Sequence, residues 1–483
     1  MLIALILIPA AGAAIAYPQW SRRWRPGILM ACALAHAGLT AVVWGGSAQP
    51  ALGGWLAADA LGLIVLTLVS LLFLGVAHYA VGWARHPAVR ENRIFVSCLL
   101  AFLAAATLVT LSHHLALLWI GMESTTLAIA PLIFDRHDRR SLEAVWKYLV
   151  LSSVGIAFAL LGVFLLASAQ PSGAAGGRPL MIDDMIRAAA LLDPAWLRLA
   201  FVFIAIGFGT KMGLAPLHSW KPDAYGVAPG LVAGLMAGAL TSCAFLGLAR
   251  VSAICFAAGL GSFIRPVLIA FGLLSLVIAA AFIVGQRDVK RLLAYSSVEH
   301  MGLLVLGLGL GGVGAYGAVL HSLNNGLAKG LTFLAVGNVV LAMGTSTASQ
   351  IRGLGRRMPA TATLLVVGLF AITGAPPFGL FLSEFSILSG AFGEGHPWVA
   401  VATIILLAII FVGIAGMLLE MVYGTPQVAP HTGDPEGTAA EPRWLVVAPA
   451  LFASLVLMLG LYIPPPLAEA LSRAAVVLGG HAP

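Results

Sequence analysis

Apolar stretches of about 20 residues recur along the whole chain, and short polar or glycine- and proline-rich segments separate them. An α-helix of that length crosses the hydrocarbon core of a bilayer, so each stretch predicts one membrane span. The pattern predicts an all-α polytopic membrane protein with about fourteen transmembrane helices. These spans lie near residues 2–18, 27–46, 60–83, 94–111, 114–134, 145–168, 199–220, 229–250, 264–285, 295–311, 314–342, 361–388, 397–423 and 444–463.

The composition supports a membrane protein and excludes a soluble one. Apolar residues make up 60% of the 483 positions, and Asp, Glu, Lys and Arg make up only 9%, whereas soluble globular domains carry roughly 25% of these charged residues. The net charge of +7 would suggest a nucleic-acid partner for a soluble protein. Here the cations occupy short loops between spans, where they determine orientation. We therefore expect the lipid bilayer, and no nucleic acid, as a partner.

The four cysteines lie in or beside apolar runs and form no CxxC pair. This spacing excludes iron–sulfur ligation and a structural zinc site. We expect no cofactor and no metal in this chain, so any redox chemistry would belong to a partner. The cysteines are Cys32, Cys98, Cys243 and Cys255.

The distribution of Lys and Arg between alternate loops predicts the orientation of the chain. Eighteen of the 26 cations, Lys221 among them, fall in one set of loops, and six fall in the other. Because Lys and Arg concentrate in cytoplasmic loops, both termini are expected outside the cytoplasm of a bacterial inner membrane. The arginine-rich loop at residues 136–140 is expected inside. The longest loops, around 169–198 and 424–443, are too short to form a soluble domain.

Four ionisable side chains fall inside predicted spans, where a charge is costly and marks a candidate functional residue. Two acids and two bases on different helices can pair across a bundle and exchange partners as protons arrive and leave. The alternative is a set of static ion pairs that hold the helices together. The four residues are Glu123, Lys211, Lys329 and Glu384.

Prolines accompany two of these charges. Pro216 follows Lys211 by five residues, and Pro376 and Pro377 precede Glu384 by eight and seven. Proline frees backbone carbonyls, which are tolerated at membrane depth only where protein or a water-filled cavity satisfies them. Interrupted helices in corresponding halves of a chain point to an ion path, although a kink that serves only packing is the simpler alternative.

Further polar groups lie near these charges. His321 precedes Lys329 by eight residues, which places both near one face of a helix, and it is a candidate proton relay or else a hydrogen-bonded core histidine. Other polar side chains in spans could hold ordered water between titrating sites or make ordinary interhelical hydrogen bonds: Thr241, Ser242, Asn324 and Asn325. His78, His113 and His114 are expected at the membrane interface, without metal-ligand spacing.

Several stretches resemble the antiporter-like, proton-translocating subunits shared by respiratory complex I, Mrp sodium/proton antiporters and group 4 nickel–iron hydrogenases. The resemblance covers roughly residues 94–423. Among its branches, the sequence is most similar to component F of hydrogenase 4, through the forms WKPDAY, SSVEHMG and PPFGLFLSEF. The stretches are SLEAVWKYLVLSSVG (141–155), KMGLAPLHSWKPDAY (211–225), DVKRLLAYSSVEHMG (288–302) and GAPPFGLFLSEF (374–385).

The resemblance implies a fourteen-helix fold with two inverted five-helix repeats, each with one broken helix. It divides the chain into an N-terminal three-helix segment (1–93), a first repeat (94–250), a second repeat (264–423) and a C-terminal helix and tail (444–483). The prolines described above fall where the broken helices are expected.

Proton-pathway roles also follow from the resemblance. Glu123 matches the family's glutamate on the fifth helix, Lys211 the lysine on the broken seventh, and Lys329 the central lysine on the eleventh. Glu384 matches the ionisable residue on the broken twelfth helix, and His321 matches the first of two histidines on the eleventh.

The sequence departs from the family pattern at two points. Asn325 stands where many relatives have the second histidine, and the eighth span (231–247) lacks the family's titratable residue. An unbroken protonatable chain from Lys211 to Lys329 is therefore not expected, and water would have to bridge the eighth helix.

The resemblance implies a non-catalytic, proton-translocating subunit of a hydrogenase-4-like complex. Its expected partners are other membrane subunits and soluble redox subunits that carry nickel–iron and iron–sulfur centres. The alternatives are the membrane partner of a zinc-dependent inorganic-carbon uptake complex, a sodium/proton antiporter subunit, and a scaffold that transports nothing.

Overall fold

The structure is a computed structural model, and it describes residues 1–18, 23–46, 48–86, 89, 93–170, 180–425 and 441–482. Helices make up 82% of the described residues, which contain no strand, only isolated bridges. Twelve helices in this part of the chain are long and apolar enough to cross a membrane. The predicted all-α membrane fold is therefore confirmed.

The helices up to the middle of the chain are α1 (Leu2–Ala16), α2 (Arg25–Trp44), α3 (Ala60–Trp83), α4 (Arg93–Leu111), α5 (Leu115–Ile133), α6 (Arg139–Ser168), α7 (Ile182–Arg187), α8 (Pro194–Met212), α9 (Trp220–Val227), α10 (Gly230–Leu235) and α11 (Thr241–Ala257). One π-helical turn, Met236–Leu240, joins α10 to α11, so the two form one span.

The remaining helices are α12 (Gly261–Ile283), α13 (Val289–Leu310), α14 (Gly312–Met343), α15 (Leu354–Arg357), α16 (Pro359–Ile372), α17 (Gly379–Gly393), α18 (Pro397–Tyr423), α19 (Arg443–Leu461) and α20 (Pro465–Val477). The first predicted span is the 15-residue helix α1. The twelfth predicted span is divided between α16 and α17. The count of fourteen spans and the inverted repeats stay predictions.

Acidic caps fix where several helices begin. Asp59, Asp193 and Asp288 each accept hydrogen bonds from backbone N–H groups in the first turns of α3, α8 and α13. At α6, Asp138 and Ser141 cap each other's backbone reciprocally. Such caps satisfy N–H groups that have no partner inside the helix.

The first helix break lies between α8 and α9. Gly213 ends α8 in a left-handed conformation that glycine adopts readily. The Ala215 N–H in the break donates to the Ser275 hydroxyl of α12 at 3.0 Å, and the Trp220 indole donates to the Thr210 carbonyl at 2.9 Å. These side chains satisfy backbone groups that lipid could not satisfy.

The second break separates α16 from α17, at residues 373–378. The Asn324 amide of α14 donates to the Gly379 carbonyl at 2.8 Å. Gly374 adopts φ +62°, and a Cβ there would lie 2.0 Å from a carboxylate oxygen of Glu384. The proline positions thus correspond to real interruptions, and buried polar side chains line both.

The most deeply buried helices lie at the centre of the bundle. The apolar 18-residue stretches of α13 and of the joined α10–α11 span are wholly buried. In α2 and α18, only 33% of the corresponding stretch is buried. Outer helices therefore shield the central ones from lipid. The buried polar side chains concentrate on these central helices and on α14.

Small residues allow close helix packing, as is common in membrane proteins. At the contact of α6 with α8, a Cβ on Gly155 would lie 2.6 Å from the Thr210 side chain. At the contact of α12 with α13, a Cβ on Gly302 would lie 2.8 Å from the Gly272 carbonyl. These close approaches fix the positions of α8 and α13, which carry candidate site residues.

Backbone bridges join loops that the predicted alternating path assigns to the same side of the membrane. Three bridges lie at the predicted outer side, and one lies at the predicted inner side. They are Leu56 with Ser112, His114 with Met181, and Gly312 with Gly480, and at the inner side Asp288 with Thr347.

Candidate functional site

Glu123 lies near the middle of α5, half-buried, with both carboxylate oxygens hydrogen-bonded. The Ser153 hydroxyl of α6 donates to Oε1 at 3.0 Å. The Thr126 hydroxyl, one turn further along α5, donates to Oε2 at 3.1 Å. Two neutral donors therefore hold this carboxylate.

Lys211 is fully buried in the last turn of α8. Its Nζ donates to the Thr126 hydroxyl and lies 3.4 Å from the Tyr148 hydroxyl. Lys211 and Glu123 form no direct ion pair: among the ion pairs of the described residues, none joins these two side chains within 4.0 Å. The predicted acid–base pair is thus joined through one hydroxyl group.

Lys329 lies near the middle of α14 and is fully buried. Its Nζ donates to the Ser296 hydroxyl at 2.8 Å and to the Leu293 carbonyl at 3.4 Å. One turn beyond Ser296 on α13 is Glu299, which is also buried and has one carboxylate oxygen without a protein partner. A lysine, a hydroxyl and a glutamate therefore lie together in the second half as in the first.

Glu299 and His300 are candidate residues that the sequence reasoning missed. Both fall inside the predicted span 295–311, and the rule that identified Glu123 applies to them equally. A search of every predicted span for ionisable residues would have found them.

Lys221 is placed differently from its sequence prediction, which counted it among the cytoplasmic loop cations. It lies in α9 with its side chain fully buried, and its Nζ donates to the Ser297 carbonyl of α13 at 3.3 Å. The helix break brings α9 into the bundle, so a residue that the sequence places in a loop is buried in the interior. Removing it leaves seventeen cations against six, and the predicted orientation is unchanged.

A row of histidine and acidic side chains joins α13, α14 and α17. His300 Nδ1 lies 3.1 Å from His321 Nε2, and His321 Nδ1 lies 2.9 Å from the Ser383 hydroxyl. Glu384, next to Ser383, is buried, and its Oε1 has no hydrogen-bond partner among the described residues. His321 and Glu384, which the sequence predicted, are thus brought together, with His300 as an unpredicted third member.

The same three side chains are the group among the described residues that could hold a metal ion. His300, His321 and Glu384 each offer one ligand atom, and these atoms lie within 4.8 Å of one another. Two imidazoles and a carboxylate suit a divalent transition metal. The sequence predicted no metal site because the three ligands come from three distant helices.

Polar groups predicted to hold water behave in two ways. The Thr241 hydroxyl donates to the Ala237 carbonyl of its own span at 2.6 Å, so it forms a hydrogen bond within the helix. The Ser242 hydroxyl and both amide atoms of Asn325 are buried and have no hydrogen-bond partner in the part of the chain that the structure describes. Buried groups of this kind are normally satisfied by ordered water.

A second ionisable cluster lies where loops meet helix ends, and we call it the loop cluster: Asp59, His113 and Asp183, together with Arg250 of α11. His113 contacts Asp59 at 3.3 Å and Asp183 at 3.2 Å, and Arg250 contacts Asp59 at 2.6 Å. The cluster lines a cavity of about 570 Å³.

The contacts of the loop cluster shift its pKa values. Burial alone would lower the pKa of His113, but the hydrogen bond to Asp183 and the close carboxylate of Asp59 outweigh it and raise the pKa. The hydrogen bond from His113 lowers the pKa of Asp183. Burial would raise the pKa of Asp59, but the Arg250 charge and the His113 contact hold it well below its ordinary value.

Four of the charged groups inside the bundle lie near the midpoints of their helical segments. Glu123, Glu299 and Lys329 are each near the midpoint of their helix. Lys211 is near the midpoint of the segment that α8 and α9 form together. These four residues therefore lie across the bundle, whereas His321 lies eight residues, about 12 Å, before Lys329 along α14.

Comparison with known proteins finds relatives that cover most of the chain. Residues 112–410 match the family model described as NADH:quinone oxidoreductase/Mrp antiporter, transmembrane. The chain is 32% identical to a hydrogenase-4 component F homolog of Methylacidiphilum infernorum over 88% of its length and 89% of that protein. It is also 32% identical to NADH-quinone oxidoreductase subunit N of Desulforudis audaxviator, covering 83% of the chain and 78% of that protein.

A solved structure shares the fold. One chain of the membrane-bound sulfane sulfur reductase, an archaeal respiratory membrane complex, superposes with a TM-score of 0.87. The match covers 99% of this chain and 98% of that chain at 24% identity. At this identity, the likeness concerns the fold.

Proposed function

The chain belongs to the NADH:quinone oxidoreductase/Mrp antiporter family of membrane subunits, and from that membership we propose that it translocates protons for a hydrogenase-4-like complex. The observation that carries the proposal is the buried row of titratable side chains, which begins at Glu123 and Lys211 and ends at His321 and Glu384. Ionisable groups at membrane depth are rare and typically form proton relays.

The hydrogenase-4-like assignment rests on the relative from Methylacidiphilum infernorum and on the motif forms quoted above. In this proposal, partner subunits with nickel–iron and iron–sulfur centres carry out the electron transfer. This chain moves protons only and needs no cofactor of its own.

The entry half uses the hydroxyl between the lysine and the glutamate. A neutral Lys211 accepts a proton from the cytoplasmic side, and the Thr126 hydroxyl keeps the new ammonium linked to the Glu123 carboxylate. When Glu123 loses this link, the charge on Lys211 is no longer compensated, and its proton moves on. Thr126 thereby couples the position of the Glu123 carboxylate to the proton affinity of Lys211.

The exit half uses the groups of α13, α14 and α17. Lys329 holds the proton midway, near Glu299, and the His300–His321 contact gives it a hydrogen-bonded route to α17. Glu384 then releases it on the far side. The Ser242 hydroxyl and the Asn325 amide are suited to hold the water that such a path needs.

The energy involved is compatible with rearranging buried charges. Moving one charge against 100 mV costs about 2.3 kcal/mol. A hundredfold change in the proton affinity of one group supplies about 2.7 kcal/mol. Making or breaking one buried charge contact is therefore sufficient for one transport step.

The finer topology is part of the same proposal. Both termini lie outside the cytoplasm of a bacterial inner membrane, and the segments 94–250 and 264–423 act as the two inverted repeats. Segment 1–93 and the C-terminal helix and tail (444–483) pack around them.

The test is purification of the complex through a tag on this chain, followed by metal analysis and a transport assay. Nickel and iron in the purified complex, together with sodium-independent proton transport that Lys211→Met abolishes, support the proposal. Zinc with one large soluble partner would replace it with the inorganic-carbon uptake function. Sodium-dependent transport would replace it with antiport, and transport unaffected by Lys211→Met would leave only a scaffold.

A further inference from the structure

The eighth span presents a gap between the two halves of the proposed path. Residues 231–255 of the joined α10–α11 span are buried, and residues 230–249 contain no Lys, His, Asp or Glu. A proton that leaves Lys211 for Lys329 therefore finds no lysine, histidine or carboxylate in this part of the helix between the halves.

Lys221 lies in this gap, although it belongs to a different element. Its side chain is fully buried in α9, and its Nζ has one hydrogen bond, to the Ser297 carbonyl at 3.3 Å. The Tyr225 ring centroid lies 5.9 Å from the same Nζ. No carboxylate forms an ion pair with Lys221 in the described part of the chain, so its charge is compensated weakly.

One end of Lys221 is fixed against the entry half. A Cβ on Gly213 would lie 2.5 Å from Cδ of Lys221 and 2.6 Å from its Cε. The aliphatic stem therefore lies directly on the backbone two residues beyond Lys211. Glycine is needed there both for the left-handed conformation, φ +71°, and for this contact.

The other end of Lys221 reaches the exit half. Its hydrogen-bond acceptor is the carbonyl of Ser297, and the neighbouring residue Ser296 accepts a hydrogen bond from Lys329. The two lysines thus bind adjacent residues of α13. Two ammonium groups held this close in a poorly solvated interior repel each other strongly.

Aromatic side chains connect Lys221 back to Lys211. The Tyr148 hydroxyl lies 3.4 Å from Lys211 Nζ, and the Tyr148 ring lies 5.2 Å from the ring of Trp220, the residue before Lys221. The Tyr225 hydroxyl is buried without a protein partner. Hydroxyl groups and a short water chain can therefore span the interval.

We propose that Lys221 is the group that passes protons from Lys211 to Lys329 and so takes the place of a titratable residue on the eighth span. The inference rests on the proposed proton-translocating function. One proton leaves the Lys211 ammonium and binds the neutral Lys221 amine, and the next step moves it to the neutral Lys329 amine. Each transfer leaves a neutral amine behind, and no electron moves.

Repulsion between the two lysines couples successive protons to each other. A charge on Lys221 disfavours a charge on Lys329, so the arrival of a new proton at Lys221 drives the previous proton from Lys329 towards His300 and Glu384. The contact through adjacent residues of α13 couples the two halves without any helix movement.

The experiment compares two substitutions at Lys221 in the assembled complex, in native membrane vesicles with a pH-sensitive dye. Lys221→Met removes the charge and keeps the stem on Gly213. Lys221→Arg keeps the charge and the hydrogen bond, but arginine does not release its proton at physiological pH. A proton carrier requires both variants to lose transport by about tenfold or more.

A purely structural cation gives a different result, in which Lys221→Arg transports like the wild type. That outcome, or wild-type transport by assembled Lys221→Met, overturns the inference. If Lys221→Met does not assemble, the arginine variant alone decides. Lys290→Met is the matched control. Lys290 is also buried and donates to a carbonyl, that of Ala228 at 2.6 Å, but it lies at the start of α13. The Lys290→Met variant should therefore transport protons normally.

Lys211→Met separates failure of the inference from failure of the function. If Lys211→Met stops transport while Lys221→Met does not, the function stands and the route through Lys221 is wrong. If neither variant changes transport, the proposed function itself is wrong.

Discussion

The Lys211 ammonium donates its hydrogen bond to the hydroxyl of Thr126 and not to a carboxylate. Because the same hydroxyl donates to Glu123 at 3.1 Å, it has a defined polarity, with its acceptor side towards the lysine and its donor side towards the acid. The charge pair is therefore held apart by one group, and a small displacement of that group changes both partners together.

The first prediction concerns that hydroxyl. Thr126→Val has nearly the same shape but leaves the Lys211 ammonium and the Glu123 carboxylate without their link, a loss of about 1.5–3 kcal/mol for a hydrogen bond to a charged group. Proton transport should fall about tenfold or more, whereas Thr126→Ser should retain most of it. Both are measured by dye quenching in vesicles with equal amounts of complex. Equal transport by the valine variant would exclude Thr126 from the coupling.

The second prediction concerns Glu123 and Lys211 themselves. Glu123→Gln and Lys211→Met each keep a side chain of similar size but remove one charge, so the complex should assemble and fail to transport protons. Ser153→Ala is the control, because it removes only one neutral donor to Glu123 and should have a smaller effect. Assembly is checked by gel filtration of the tagged complex, and full transport by assembled Lys211→Met would contradict the entry mechanism.

The third prediction concerns the exit residue Glu384. If the site needs a group that takes and releases a proton, Glu384→Lys should keep some transport and Glu384→Gln almost none. A structural carboxylate would give the reverse order, because glutamine keeps the shape while an unpaired lysine costs several kcal/mol. Transport is compared at equal complex content, and a glutamine variant equal to the wild type would require another exit.

The fourth prediction is a pH dependence of the loop cluster. The raised pKa of His113 gives a stabilisation that is complete below the ordinary histidine pKa and is lost as the pH rises through the raised value. The lowered pKa values of Asp59 and Asp183 give a stabilisation that is complete above the ordinary aspartate pKa and is lost as the pH falls through the lowered values. The cluster should therefore be tightest between about pH 4 and 6.5.

Hydrogen–deuterium exchange of α7 checks this pH window. After correction for the intrinsic exchange rate, α7 should be better protected at pH 5.5 than at pH 8.5. His113→Gln should remove the difference, and His137→Gln, which alters an exposed histidine in another loop, should leave it unchanged. Equal protection at both pH values in the unaltered chain would contradict the assignment.

The fifth prediction is the orientation of the chain. A cysteine introduced at the exposed residue Leu191 should react with a membrane-impermeant maleimide in intact cells. A cysteine at the exposed residue Arg139 should react only after permeabilisation. The four native cysteines are buried or half-buried, so background labelling should be low. The opposite labelling pattern would show that the chain has the reverse orientation in the membrane.

Hydropathy and proline positions were sufficient to predict the all-helical membrane fold and both helix breaks, because lipid imposes one solution on long apolar segments. The same criterion could have identified Glu299 and His300, whose span was recognised. Lys221 could not be placed from its motif, since only the folded break brings α9 inside. Thr126 could not be singled out either, because a threonine in a span carries no signal until its two charged neighbours are located.

The common height of the charged groups has a consequence for the electrical work of transport. A proton that steps along the row from Lys211 towards Lys329 moves parallel to the membrane surface and crosses almost none of the voltage. The full work of about 2.3 kcal/mol per 100 mV is then done in the entry step to Lys211 and in the steps after Lys329, which include about 12 Å along α14 to His321. The lateral steps should be insensitive to membrane potential, which makes the two ends, and not the long middle, the places where a voltage can stall the subunit.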